Sequence, residues 1–208
     1  MQHAKYTEAL YGRPAASTCP FTEEEIAELE GLDELLVHLP AHMTAADLCK
    51  RFGLRANVRF EDEALMRSVM TDVDQWFVCS RSKTPEMIFK SATFAKRAYE
   101  DEGLYGMDMR RYLAFVGTYR WRYDQLPDQE FWTFLLSGSY DRSGVSIVGF
   151  DRFGVLSHHG WMKNFRAKFT GSRYIVIAPR LEITAETARV PRAYRGRRSP
   201  DGLEAAMD

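Results

Sequence analysis

The chain has 208 residues, a formal net charge of −1, 45% apolar residues and 13% aromatic residues. This length and composition predict one folded domain and exclude a disordered chain. The near-neutral charge excludes a protein whose whole surface binds nucleic acid or acidic lipid, so any such contact must be local.

The cysteines indicate a reducing compartment, and the short apolar runs indicate that the chain does not enter a membrane. Cys19, Cys49 and Cys79 are odd in number, widely spaced and free of any CxxC pair. This pattern predicts neither a disulfide framework nor a zinc site. The first ten residues lack the apolar stretch of a signal peptide, and no apolar run approaches the roughly 20 residues of a membrane helix. We therefore expect a cytoplasmic protein that makes no membrane contact.

The first half of the chain predicts mainly helices. Residues 1–21 contain glycine and prolines among small polar residues, which indicates an arm. Thr22 and Thr44 are good N-caps, and apolar residues recur at helical spacing after each of them. Thr84, followed by Pro85 and a glutamate, is a further helix start. The predicted helices are 22–39, 44–52, 61–70, 84–102 and 108 to near 126.

The second half predicts strands. A strand is already expected at 75–80, and four short apolar runs separated by turn residues follow later: 131–136, 145–150, 154–158 and 173–178. Both 141–144 and 151–154 place Asp first and Gly fourth, as in a type I turn. We expect an α+β fold in which a helical N-terminal half packs on an antiparallel meander of about four to five strands. Its parts are an arm (1–21), a single domain (22–183) and a flexible arginine-rich tail (184–208).

The sequence YRWRY near the end of the last predicted helix is the preferred docking site for a partner. Its residues are Tyr119, Arg120, Trp121, Arg122 and Tyr123. Trp, Tyr and Arg are the residue types that most often anchor protein interfaces. The alternative is structural, with the aromatic rings closing over the core while the arginines reach outward.

Residues 43–60 resemble the start of a helix-turn-helix, with a threonine cap, a buried-type leucine and Gly53 in the turn. Lys50, Arg51 and Arg55 are the cations that would then contact DNA. Against this, residues 55–60 do not continue as a convincing recognition helix. An ordinary capped helix is the competing interpretation.

The tail offers a second route to nucleic acid. Its cations surround Tyr194, which would stack on a base while they bind phosphates. A solvated tail, or weak pairing with the acidic stretch 23–34, is the alternative. The tail residues concerned are Arg189, Arg192, Arg195, Arg197 and Arg198.

The candidate catalytic site centres on two adjacent histidines. His158 and His159 could join Asp151 and Cys79 in an acid-base or metal site, but adjacent strand residues point to opposite faces. No HxH, HExxH or Cys/His spacing supports such a site. His38 and His42 are four residues apart with a proline between them. We therefore predict no metal and no cofactor.

Three functions follow from these features. The first is a non-catalytic, protein-binding or inhibitory accessory protein, of the bacterial immunity, antirestriction or conjugation-control kind. The second is a DNA-associated regulator that uses residues 43–60 or the tail. The third is an enzyme with an unfamiliar site near His158 and His159. No phosphate loop, dinucleotide fingerprint or GxSxG elbow occurs in the chain, which favours a protein that is not an enzyme.

Overall fold

The structure is a computed structural model that describes residues 2–58, 72–137 and 144–177. The helices in these ranges are α1 (Gln2–Tyr11), α2 (Glu23–Gly31), α3 (Ala45–Arg51), α4 (Ala92–Asp101) and α5 (Met109–Tyr123). The strands are β1 (Glu34–Leu39), β2 (Arg55–Asn57), β3 (Gln75–Ser80), β4 (Tyr105–Gly106), β5 (Trp132–Leu135), β6 (Gly144–Phe150), β7 (Val155–Met162), β8 (Thr170–Ser172) and β9 (Tyr174–Ile177).

The strands form two sheets. The first has the order β1-β3-β9-β4, and all its neighbours are antiparallel. The second has the order β2-β7-β6-β5-β8, in which β5, β6 and β7 are an antiparallel meander and the two outer strands pair in parallel. The mixture of helices and mainly antiparallel sheets confirms the predicted α+β class.

Helix α5 lies at the centre of the molecule. Every residue from Met109 to Tyr119 except Arg111 is buried, which requires packing around the whole circumference of the helix. The core cluster combines this helix with apolar residues of both sheets, such as Phe77 in the first and Val148 in the second. Gly117 allows the ring of Phe52 to approach so closely that an added Cβ would lie 2.3 Å from it.

Local capping signals decide where several helices begin. The Thr22 and Thr44 hydroxyls each accept a hydrogen bond from the backbone N–H three residues later. The carboxylate of that later residue, Glu25 or Asp47, accepts a hydrogen bond from the backbone N–H of the threonine. Asp108 caps α5 in the predicted position. The strand predicted at 75–80 is confirmed as β3. None of the helices in the described ranges is both long enough and apolar enough to cross a bilayer.

The helix predicted over 22–39 is wrong in its second half. Helix α2 ends at Gly31, Asp33 adopts a left-handed φ of 59°, and residues 34–39 form β1, paired with β3. The spacing of the leucines fits a continued helix and also a helix followed by a strand. In the observed fold, Leu32 is 44% exposed, whereas a continued helix would bury it. All six residues of β1 are buried, as expected of a strand covered on both faces.

The helix predicted from Thr84 begins later than expected. Glu86 instead exchanges two main-chain hydrogen bonds with Ser172, both 2.8 Å long, and Ser91 caps α4. Gly171 makes this pairing possible, because a Cβ there would lie 2.6 Å from the Glu86 carbonyl oxygen. Residues 84–90 therefore form an irregular connection beside β8.

The other differences concern the ends of the chain and one strand. The predicted strand 173–178 is β9, which lies between β3 and β4 in the first sheet rather than in the meander. The predicted arm contains α1, whose residues Leu10 and Tyr11 belong to the core. The predicted helix 61–70, residues 141–143 of the predicted turn and the tail 184–208 lie outside the described residues.

Candidate functional site

The YRWRY segment is split between core and surface. Tyr119 is only 6% exposed and packs on Tyr123, with ring centroids 4.7 Å apart. Trp121 is 53% exposed and meets the edge of the Tyr6 ring. Arg122 forms an exposed ion pair with Glu30, and Arg120 donates to the Phe52 carbonyl. Trp121 is therefore the aromatic residue of this segment that a partner can reach most readily.

The helix-turn-helix interpretation of 43–60 is not supported by the local structure. Helix α3 is followed by strand β2, which pairs with β7 where a recognition helix would have to begin. Arg55 donates to the main-chain carbonyl of Phe153. Lys50 and Arg51 instead line an open cavity beside α1. The five tail arginines, 189, 192, 195, 197 and 198, lie outside the described residues.

The structure does not assemble the predicted histidine site. His158 and His159 both lie within β7, and the exposed His159 packs against Trp132 at 5.1 Å between ring centroids. The Asp151 carboxylate accepts hydrogen bonds from the backbone of residues 153 and 155 and so closes the β6–β7 turn. Cys79 is fully buried in the other sheet, where burial raises the pKa of its thiol well above the usual value.

His38 has a structural partner. Its Nε2 lies 2.9 Å from Asp74, and both side chains are almost fully buried. Burial lowers the pKa of His38 despite the nearby carboxylate, so the ring is neutral near pH 7. Asp74 also accepts hydrogen bonds from the backbone of Ala16, Ser17 and Ala41. The pair therefore fastens the segment after α1 to β1 and to the start of β3.

A buried charge cluster lies where β9 meets the connection after α5. Arg173 is 1% exposed and holds Asp128 through two hydrogen bonds of 3.0 and 2.6 Å. It also donates to the Ser82 carbonyl and lies 4.4 Å from the Phe115 ring centroid. We define the buried charge cluster as Arg173, Asp128, Glu86 and Glu34.

The two glutamates of this cluster resist ionisation. Burial raises the pKa of Glu34 to about 7, an effect that Tyr174 opposes by donating a hydrogen bond to its carboxylate. Burial also raises the pKa of Glu86, while the nearby Arg173 opposes the shift. The cluster thus combines one fully paired ion pair with two carboxyl groups that favour the neutral form. Arg173 and Asp128 bond to each other, to the Ser82 carbonyl and to the Thr133 hydroxyl, which is the arrangement of a structural ion pair.

In contrast to these buried charges, exposed apolar and cationic side chains lie together on the surface beside α4. Six large apolar side chains are exposed here, together with four exposed lysine and arginine side chains. We name this surface the aromatic–cationic face. Its apolar members are Ile88, Phe89, Phe94, Met162, Phe165 and Phe169, and its cations are Lys90, Lys163, Arg166 and Lys168.

Main-chain hydrogen bonds join the two halves of this face. The Phe89 amide donates to Thr170, and the Thr93 amide donates to Lys163, each at 3.0 Å. The Thr93 hydroxyl also donates to Asn164 at 2.6 Å. These bonds hold the segment before α4 against the β7–β8 connection. Two segments that are far apart in sequence therefore lie side by side on this surface.

Neighbouring side chains contact several of the exposed aromatic rings. Trp161 is half-buried and packs edge-on against Phe165 and Phe169, with ring centroids 5.6 and 6.2 Å away. Lys90 lies 5.3 Å from the Phe94 ring centroid. Phe89 is 51% exposed and adopts a left-handed φ of 61°, which is costly for a bulky side chain. The backbone thus bears strain at a residue that presents an aromatic ring to solvent.

The two segments that form this face contribute positive charges and no negative ones. Residues 87–99 and 160–172 contain no Asp or Glu. The face therefore presents cations around exposed aromatic rings without an acidic residue from either segment. Sequence reasoning overlooked it, although the run WMKNFRAKF at 161–169 alternates aromatic and basic residues much as YRWRY does.

No metal site is evident within 2–58, 72–137 and 144–177, because no three His, Cys, Asp or Glu side chains there are grouped to hold an ion. No family model matches the chain, and neither a curated protein nor a solved structure was found to match it. The arrangement of its own residues is therefore the basis for a functional proposal.

Proposed function

We propose that this chain is a non-catalytic accessory or inhibitory protein that binds an acidic surface of another protein through the aromatic–cationic face. The observation that carries the proposal is the exposure of six large apolar side chains beside four cations. Exposed apolar patches with polar rims mark interaction sites, since exposing them to water is unfavourable. A role of the immunity, antirestriction or conjugation-control kind is compatible with such a surface.

The charge of the face defines the chemistry of the partner. Lys90, Lys163, Arg166 and Lys168 favour carboxylates at the rim of the partner's surface. The exposed rings favour apolar side chains at its centre. We expect association to slow as salt rises, because rim charges act mainly by steering the encounter.

A protein partner is favoured over single-stranded nucleic acid by the aliphatic members of the face. Bases stack on aromatic rings, and cations bind the phosphates between them. Ile88 and Met162 have no stacking surface, yet Met162 is 66% exposed. Met and aromatic residues together are typical of the core of a protein interface.

The candidate catalytic residues give less support to an enzyme. The histidines of β7, the Asp151 carboxylate and the Cys79 thiol do not converge, and Asp128 and Arg173 are bonded to each other. Two of the three cysteines, Cys49 and Cys79, are buried as free thiols. Free thiols fit the reducing conditions of the cytoplasm, which we propose as the compartment.

Site-specific photo-crosslinking in the host cell tests the proposal. A benzoylphenylalanine replaces Phe165, which is 49% exposed in the face. The expected product is a covalent adduct with one predominant protein, which mass spectrometry identifies and whose cross-linked surface is acidic. Replacing Trp121 by the same residue tests the site predicted from YRWRY in parallel.

Phe153 provides a matched control. It is an exposed phenylalanine with Arg152 4.8 Å from its ring centroid, but it lies at the opposite end of β7. Eight extended residues place the two ends of β7 roughly 23 Å apart. An adduct at 165 but not at 153 supports the proposal. Adducts only with nucleic acid, only at 121, or equally at 165 and 153 would reject it.

A further inference from the structure

A second surface feature is independent of the aromatic–cationic face. An open cavity of about 570 Å³ lies beside α3 and the end of α1. This volume is within the range of small-molecule sites, about 300–1,000 Å³. The lining residues that matter for its chemistry are Tyr11, Arg13, His42, Asp47, Lys50 and Arg51.

Main-chain carbonyls hold two of its cations in position. Arg51 donates from Nε to the Leu10 carbonyl at 2.8 Å and from Nη2 to the Ala9 carbonyl at 3.3 Å. Arg13 donates from Nη2 to the Ala41 carbonyl at 3.0 Å. Carbonyls accept these bonds without neutralising the guanidinium charge. The two arginines are therefore fixed while they keep their full charge.

Carboxylates do not neutralise these charges within the part of the chain that the structure describes. There, no carboxylate lies within ion-pair distance of Arg13, Lys50 or Arg51. The one acid in the lining, Asp47, accepts hydrogen bonds from the Thr44 hydroxyl at 2.7 Å and from the Thr44 amide at 3.0 Å. These bonds lower the pKa of Asp47 and tie its carboxylate to the cap of α3. Three positive charges, two of them fixed by main-chain carbonyls, thus face one carboxylate that already accepts hydrogen bonds from Thr44.

We propose that this cavity binds a phosphate ester. Guanidinium groups present donors that match the oxygens of a phosphate, and a lysine supplies a further point charge. The cavity can hold more than a single phosphate, so a nucleoside phosphate or the backbone of a nucleic acid strand would provide the group. Tyr11, buried at 7% exposure, forms one wall.

Calorimetric titration of the full chain with 5′-AMP, pyrophosphate and a 15-nucleotide oligothymidylate tests this site. The variant Arg13→Ala with Lys50→Ala removes two exposed lining cations and keeps Arg51, which holds the end of α1. We expect at least a tenfold loss of affinity for the probes that the wild type binds. Pyrophosphate should compete with 5′-AMP for the same site.

The control variant is Lys96→Ala with Arg97→Ala, which removes the same charge from two exposed positions of α4 that belong to neither surface. It should bind the probes as the wild type does, so a loss shared by both variants would show only long-range attraction and overturn the proposal. Binding of 5′-AMP assigns the cavity to a free nucleotide, and binding of the oligonucleotide alone assigns it to a nucleic acid backbone. Failure of the wild type to bind any of the three probes at millimolar concentration would also overturn it. Neither negative result affects the crosslinking test at Phe165.

Discussion

The buried charge cluster and the aromatic–cationic face show two opposite uses of charged and apolar side chains. Inside, Arg173 is covered on all sides and finds Asp128, a carbonyl and an aromatic ring within the chain. Outside, Phe165 and Met162 remain exposed to water beside cations, in a segment that contains no Asp or Glu. The buried pair of Arg173 and Asp128 is bonded within the chain and maintains the fold, whereas exposed aromatic rings beside cations are where a partner is expected. Substitutions in the two regions should therefore have different consequences.

Breaking the buried ion pair should cause the greatest loss of stability. Asp128→Ala leaves the Arg173 guanidinium buried without its carboxylate, which costs about 3–5 kcal/mol of unfolding free energy. Urea denaturation measures this loss. As a control, Arg122→Ala breaks the exposed pair with Glu30 and should cost less than about 1 kcal/mol. Equal losses of unfolding free energy in the two variants would contradict the claim that the buried ion pair matters more for stability than the exposed pair.

The pH dependence of stability tests the same cluster. The pKa of Glu34 rises from 4.5 to about 7 in the folded chain, so between these values the folded state binds more protons than the unfolded state. The stabilisation from this group is complete below about pH 4.5 and is lost as the pH rises through 7. Glu34→Gln removes this titration and should stabilise the chain by about 3 kcal/mol at pH 8 relative to wild type. Unfolding curves from pH 4 to pH 8 check it, and an unchanged pH slope in the variant would refute the assignment.

The strained backbone at Phe89 leads to a prediction for the aromatic–cationic face. At a left-handed φ, glycine avoids a cost of about 1–2 kcal/mol that alanine still bears. Phe89→Gly should therefore be more stable than Phe89→Ala by about 1 kcal/mol, which is opposite to the usual order of these residues. Both variants lose the ring and should bind the partner more weakly. A greater stability of the alanine variant would show that the Phe89 backbone relaxes on substitution.

Local signals in the sequence account for the parts of the fold that were predicted. Thr44 and Asp108 cap their helices by hydrogen bonds to backbone three residues away, and such short-range chemistry is visible in sequence. The leucines of 29–39 satisfy a helical spacing, but β1 is selected by pairing with β3, about 40 residues later. The connection at Glu86 is likewise selected by distant pairing with Ser172. At β1 and at Glu86, hydrogen bonding to a distant strand therefore determines the structure more strongly than the local sequence pattern does.

The candidate site was less predictable than the fold. Trp121 was correctly placed near the end of a helix, but the burial of Tyr119 depends on packing that one sequence does not reveal. The aromatic–cationic face joins residues 88–94 to 162–169 through two main-chain hydrogen bonds. The aromatic and basic residues at 161–169 already indicate a binding surface in the sequence. Phe89 is distant from them in sequence, and only the three-dimensional structure shows that it lies nearby.

The most direct test of the docking surface is the affinity of the crosslinked partner for Phe165→Ala with Phe169→Ala, measured together with thermal unfolding. Truncating aromatic anchors at the centre of an interface costs about 2 kcal/mol or more, so we predict at least about 30-fold weaker binding. Because both rings are about half exposed, the fold should lose about 1 kcal/mol at most per ring and stay intact. Phe153→Ala should retain wild-type affinity. Wild-type affinity in the folded double variant would contradict the assignment of the aromatic–cationic face as the binding surface.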